Sequence, residues 1–163
     1  MKQIEIKAAI ENLIDTFLYA GKVSIELRKK GLIKEIKEDN TPVSNGDLEV
    51  NRILTEKINN LTPQIPIVSE ETSHNKSKKD LKNFWLIDPI DGTYDYINDL
   101  DEFTLNAGLI INNRAVAGII YAPAKNRLFY SYEKGCSFEI INSKHVKLDL
   151  SLIHISEPTR PLI

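Results

Sequence analysis

From Phe103 to Ile141 the chain alternates apolar runs with short turns: "FTLNAGLII", "AVAGIIYAP", "RLFYSY" and "CSFEII". Turns fall at Asn112-Asn113, near Lys125-Asn126, and at Lys134-Gly135. Short runs rich in β-branched and aromatic residues, bounded by Asn and Gly, read as an antiparallel meander. A meander buries one face only when a second layer covers it. Gly108 and Gly118, inside the first two strands, suggest that another element packs closely on the sheet. Cys136 opens the last strand and reads as a small buried hydrophobe.

The covering layer comes from the N-terminal segment. Ile6, Ile10, Leu13 and Phe17 recur at helical spacing, and Ala20, Ser24 and Leu27 extend the stripe. Gly31 is the expected stop, with Arg28, Lys29 and Lys30 in the last turn. "KEDNTPVSNGD" reads as a loop. Ser44, with Asp47 three residues on, resembles an N-cap pair. A second helix is expected from about Asp47 to Asn60, with Val50, Leu54, Ile58 and Leu61 on one face. Two helices followed by a meander give an α+β layered domain, with N-terminal helices packed on a largely antiparallel sheet.

Two short apolar strands lie between these parts, and both end in acids. "IPIVS" runs into Glu70-Glu71, and "FWLI" into Asp88. If the strands are neighbours, Glu70, Asp88 and Asp91 converge. Carboxylates that close repel one another, so they share protons or bind cations. No lysine or arginine within the motif offers itself as a fixed partner. Hard oxygen donors suit magnesium, manganese or calcium. A turn at Pro89 brings Asp88 and Asp91 to one side, where the Ile90 carbonyl adds a neutral oxygen. Gly92 and Thr93 open a short helix whose free N–H groups suit a phosphate. Such a layout serves metal-assisted hydrolysis of a phosphate ester. A turn with acids capping the next helix is the plainer alternative. The D-x-D-G-T motif of haloacid-dehalogenase phosphatases fails on spacing, since Pro89 and Ile90 separate the two acids here.

Composition narrows the class. The chain has 163 residues, 42% hydrophobic, with 23 acids against 21 bases and one cysteine. That is one domain's worth of core. The charge balance argues against a nucleic-acid polymer as partner, and one cysteine excludes an intrachain disulfide. The segment 72–80 reads as a polar exposed loop, with His74 solvated. No apolar run approaches a membrane span, and no signal peptide is apparent. A cytoplasmic enzyme, at most peripheral to the inner membrane, is the expectation.

"SEE" at 69–71, "WLIDPIDGT" at 85–93 and the strands after them resemble the magnesium-dependent, lithium-sensitive inositol monophosphatase superfamily, over roughly residues 5 to 140. "DNTPVSNGD" and "EFTLNAGLI" resemble its bacterial, CysQ-type 3'(2'),5'-bisphosphate nucleotidase subgroup. The resemblance implies a layered sugar-phosphatase-type fold, with Mg2+ as cofactor. Glu70, Asp88, the Ile90 carbonyl and Asp91 match the metal ligands. Asp91, Gly92 and Thr93 match the substrate-binding positions. Asp47, Glu70 and Thr93 match the catalytic ones, Asp47 with Thr93 positioning or deprotonating a water, and Glu71 stands behind them. The implied reaction removes the 3'-phosphate of 3'-phosphoadenosine 5'-phosphate by a metal-activated water. Inositol or sugar monophosphates are the alternative substrates, and an inactive truncated fragment is a third reading. Gly46 and Ser44 depart from the family's usual Ala and Thr. A W-D-x-A motif of the family's second half is not found, the only tryptophan being Trp85. Residues 1–150 thus read as the N-terminal portion of that fold, and 151–163 as a foreign or frame-shifted tail.

Overall fold

A computed structural model describes residues 1–72 and 81–149. The loop around His74 and the tail from Ser151 lie outside the described residues. Helix α1 spans Gln3–Lys30 and ends at Gly31. Ile6, Ile10, Leu13, Phe17, Ala20 and Ser24 line its buried face, as their spacing implies. Helix α2 spans Asn45–Leu61 behind a Ser44 N-cap, and buries Val50, Ile53, Leu54 and Ile58.

Between the helices, strands β1 (Lys34–Ile36) and β2 (Pro42–Ser44) form a small antiparallel hairpin. The sequence here reads as loop, because β1 is exposed throughout and carries no buried pattern. The main sheet has seven strands in chain order: β3 (Ile67–Ser69), β4 (Phe84–Asp91), β5 (Thr104–Ile111), β6 (Arg114–Ala122), β7 (Arg127–Glu133), β8 (Cys136–Ile141) and β9 (Lys144–Lys147). β3 and β4 are parallel, and every later pair is antiparallel. The helix α3 (Thr93–Ile97) links β4 to β5. Asparagines take left-handed turn positions at 112, 113, 126 and 142, the role that makes Asn a turn residue.

Three expectations change. β8 does not end the meander: β9 covers its edge, and its own edge is fully exposed and carries Lys144 and Lys147. Charged side chains on a short edge strand discourage further pairing. Gly108 and Gly118 face each other across β5 and β6, and a Cβ on either would meet only ordinary contacts, so no closely packed element explains them. Cys136 is half-buried, and its thiol donates to Glu133 Oε1 at 3.0 Å. That hydrogen bond, with burial, raises its pKa.

The helices cover one sheet face. Trp85, Ile87, Leu105, Leu109 and Ile119 point into the core beneath them, each at most 1% exposed. Trp85 Nε1 donates to Thr62 Oγ1 at 3.0 Å, tying β4 to the end of α2. Leu86 and Ile120 lie on the other face, about half exposed. A groove of about 550 Å³ runs there over Gly108 and Gly118 and reaches Asp88 and Asn106. Replacing Trp85 by Ala removes the largest buried side chain and its hydrogen bond, and should cost about 3–5 kcal/mol. Urea unfolding followed by far-UV circular dichroism should show the midpoint fall accordingly.

Candidate active site

The site gathers where β3 and β4 end side by side. The parallel register pairs Ser69 with Ile87, and Glu70 N donates to the Ile87 carbonyl at 3.2 Å. Glu70, Glu71 and Asp88 therefore leave neighbouring strands at the same level. Asp88 pairs with Asn106 on β5, but Asp91 pairs with Thr104. Three steps on β4 match two on β5, so β4 carries a β-bulge at Pro89-Ile90. In a regular strand, residues three apart face opposite sides. The bulge restores Asp91 to the side of Asp88, and Pro89 suits it because it has no N–H to give to the ladder. The expected turn is thus a bulge within a continuous strand.

Gly92 follows with φ 90°, a left-handed conformation that disfavours side chains, and a Cβ there would lie 2.6 Å from the Glu102 carbonyl oxygen. It turns the chain into α3 and sets Thr93 over the bulge. Thr93 Oγ1 lies 3.0 Å from Asp47 Oδ1 and 3.0 Å from the Ile90 carbonyl oxygen. Asp47 is 1% exposed. Its other oxygen accepts from Ser44 N at 2.8 Å and Ser44 Oγ at 2.6 Å. One carboxylate thus caps α2 and meets Thr93, and the N-cap pair read in the sequence delivers it there.

Asp88 dominates the electrostatics. Burial first, then the charge of Glu70, its hydrogen bond with Glu70, and the charges of Asp91 and Glu71 push its pKa from 3.8 to about 7. Its Oδ1 is buried with no hydrogen-bond partner, and so is Asn106 Oδ1 beside it. An orphaned carboxylate oxygen among acids is costly unless a cation or proton meets it. The donors available are all hard oxygens, which fit a divalent cation of the magnesium type. Among the described residues no three Asp, Glu, His or Cys side chains lie close enough together to hold a metal ion. The fit therefore rests on the donor chemistry and the Asp88 oxygen.

Two partners were not visible within the motif. Lys37, after β1, reaches Glu71 Oε1 at 2.7 Å and Glu70 Oε1 at 3.6 Å. It corrects the expectation that the acids lack a fixed basic neighbour. Burial opposes the Lys37 charge, but the hydrogen bond to Glu71 and the surrounding acids outweigh it, and its pKa rises. Glu71 also moves up, because burial exceeds the opposing pull of Lys37. The contact distance and the 6% exposure of the Glu71 side chain mark a tight pair held at a desolvation cost. Asn106, the second, donates to Asp91 Oδ2 at 3.4 Å. Its signal was a lone amide inside the apolar run "FTLNAGLII".

The sequence matches the inositol monophosphatase family over residues 6–157. The chain belongs to that family. It is 35% identical over 141 residues to the 3'(2'),5'-bisphosphate nucleotidase CysQ of Aggregatibacter actinomycetemcomitans, covering 85% of this chain and 52% of that protein. The crystal structure of CysQ from Bacteroides thetaiotaomicron superposes with a TM-score of 0.61 at 27% identity, covering 87% of this chain and 51% of that one. An IMPase/NADP phosphatase solved with Mg2+ and phosphate shares the fold, with a TM-score of 0.67 at 18% identity, over 80% of this chain and 50% of its own. The chain spans about half the length of the relatives it matches.

A carboxyl whose folded pKa exceeds its unfolded value binds more protons when folded. Stability then falls as pH rises through that window, here from about 4 to about 7. Without divalent cations, Asp88→Asn should remove this fall and raise Tm at pH 8 by a few degrees, roughly 1 kcal/mol after solvent screening. Thermal melts from pH 5 to 8 with EDTA check it. Adding Mg2+ should raise the Tm of the parent more than that of the variant.

Proposed function

We propose that the chain carries the active-site half of a magnesium-dependent phosphomonoesterase acting on 3'-phosphoadenosine 5'-phosphate, releasing AMP and phosphate. One observation carries the reading: a half-buried Asp88 with an orphaned oxygen and a pKa near 7, set beside the Asp47–Thr93 pair. Similarity to CysQ nucleotidases supports the bisphosphorylated nucleotide, and the family supports the phosphomonoester. Glu70, Asp88, Asp91 and the Ile90 carbonyl would hold the cation. When bound, it neutralises charge on the phosphate and acidifies a water.

The chain's own residues divide the remaining work. Thr93 Oγ1 takes a proton from the attacking water as it passes its own to Asp47 Oδ1, 3.0 Å away. Asp47, buried and fixed by Ser44, receives that proton. Water attacks phosphorus, the ester P–O bond breaks, and the leaving oxygen takes up a proton from a solvent water. No covalent enzyme intermediate is required, and the Asp88 spacing argues against it as nucleophile. The N–H groups at Gly92 and Thr93 orient the phosphate. α3 is one turn long, so its dipole adds little to those donors. Lys37 holds Glu71 and Glu70 in place. A second reading, weak Mg2+ binding with little turnover, is favoured by the half-length coverage of the relatives.

Phosphate release should be assayed with 3'-phosphoadenosine 5'-phosphate, inositol 1-phosphate and fructose 1,6-bisphosphate, with and without Mg2+. The bisphosphate nucleotide should be preferred, and EDTA should abolish release. Asp88→Asn or Asp91→Asn should each lower turnover on the order of a thousandfold. Near-full turnover in either variant at saturating Mg2+ contradicts the assignment. Mg2+ binding without release from any of the three substrates selects the second reading.

A further inference from the structure

Gly46, in the first turn of α2, has no room for a side chain. A Cβ on Gly46 would lie 2.2 Å from Tyr96 Oη, 2.6 Å from its Cε1 and 2.8 Å from its Cζ. Tyr96, on α3, passes through this gap under the first turn of α2. Its hydroxyl donates to the Ser24 carbonyl on α1 at 2.7 Å. The side chain is fully buried. Its ring packs at 4.9 Å from Phe103 and lies 5.9 Å from the Arg28 guanidinium. Burial, and then the negative charge of Asp47, raise its pKa, so the hydroxyl stays neutral and serves as a donor.

Gly46 adjoins Asp47, and Tyr96 lies three residues from Thr93. The contact therefore joins the two backbones that present the Asp47–Thr93 pair, whose side chains meet at 3.0 Å. α3 is too short to hold its own direction, having only five residues. Tyr96 anchors it to α1. Arg28 secures the following segment, donating to the Leu100 carbonyl at 2.7 Å and pairing with Asp99 and Asp101.

We propose that Tyr96 is a positioning residue for the Asp47–Thr93 pair, and that Gly46 is the gap through which it acts. The role rests on that pair serving the hydrolysis argued above. An ordinary core tyrosine would contribute stability alone. A positioning tyrosine also sets a distance at the reacting groups, where small displacements are costly in rate.

The experiment uses the whole chain and four variants: Tyr96→Phe, Tyr96→Leu, Gly46→Ala and Gly46→Ala/Tyr96→Leu. Leu13→Val, in the α1 core, serves as a stability control. Tyr96→Phe should lower kcat about tenfold with KM within about twofold, while Leu13→Val leaves kcat unchanged. Gly46→Ala should lower kcat at least as much, yet add little once Tyr96→Leu has removed the atoms its Cβ would meet. A second readout needs no turnover: the NMR signals of the Thr93 methyl and the Asp47 amide. Both should shift in Tyr96→Phe and Gly46→Ala and stay in place in Leu13→Val. Unmoved signals, or additive effects of Gly46→Ala and Tyr96→Leu, overturn the proposal. A parent chain that releases no phosphate counts against the hydrolysis reading, and the NMR signals then decide the positioning claim separately.

Discussion

The repulsion among Glu70, Glu71, Asp88 and Asp91 is the constraint on which the site turns. Burial first, and then the charges of Glu70, Asp91 and Glu71, push the Asp88 pKa up to about 7. The fold tolerates this because strong burial elsewhere holds β4 in place. Trp85, Ile87 and Ile90 are each 1% exposed, on the strand that also carries Asp88 and Asp91. Core anchoring and charge crowding thus share eight residues. Stress at a functional position, offset by packing beside it, is the pattern expected of a site built to receive a cation.

Three local devices convert that strand into a site. The bulge at Pro89-Ile90 brings Asp91 to the side of Asp88. The left-handed Gly92 reverses the chain so that Thr93 returns over the bulge. The Ser44 cap of α2 aims Asp47 at Thr93 from a separate layer. Asp47, Asp88 and Asp91 are thus presented by regular elements, and Glu70 and Glu71 by the turn that follows β3. The Lys37 pair adds a fourth tie, from the β1–β2 hairpin, and stops Glu71 from adding an uncompensated charge.

Much of this was legible in the residues. Helical spacing in α1 and α2 and the Asn-bounded runs of the meander announced the layers, because burial imposes those periods. The Ser44–Asp47 spacing announced a cap. Other features were hidden for physical reasons. β1 and β9 are exposed on every residue and carry no pattern of burial. Lys37 meets Glu71 across 34 positions, a contact that only the tertiary fold creates. A bulge and a turn use the same Asp-Pro chemistry and differ only in what pairs across the strand. Gly46 read as a mild change of residue type, since the ring that fills its space lies 50 positions away.

Burial and the neighbouring acids raise the cost of the Asp88 charge, and a divalent cation would relieve it. Carbon-13 NMR of the Asp88 side-chain carboxyl, titrated from pH 3 to 9 with and without Mg2+, tests it directly. The account predicts an apparent pKa near 7 without metal, and a fall below the ordinary carboxylate range when Mg2+ is present. An ordinary value near 4 that Mg2+ leaves unchanged would contradict it.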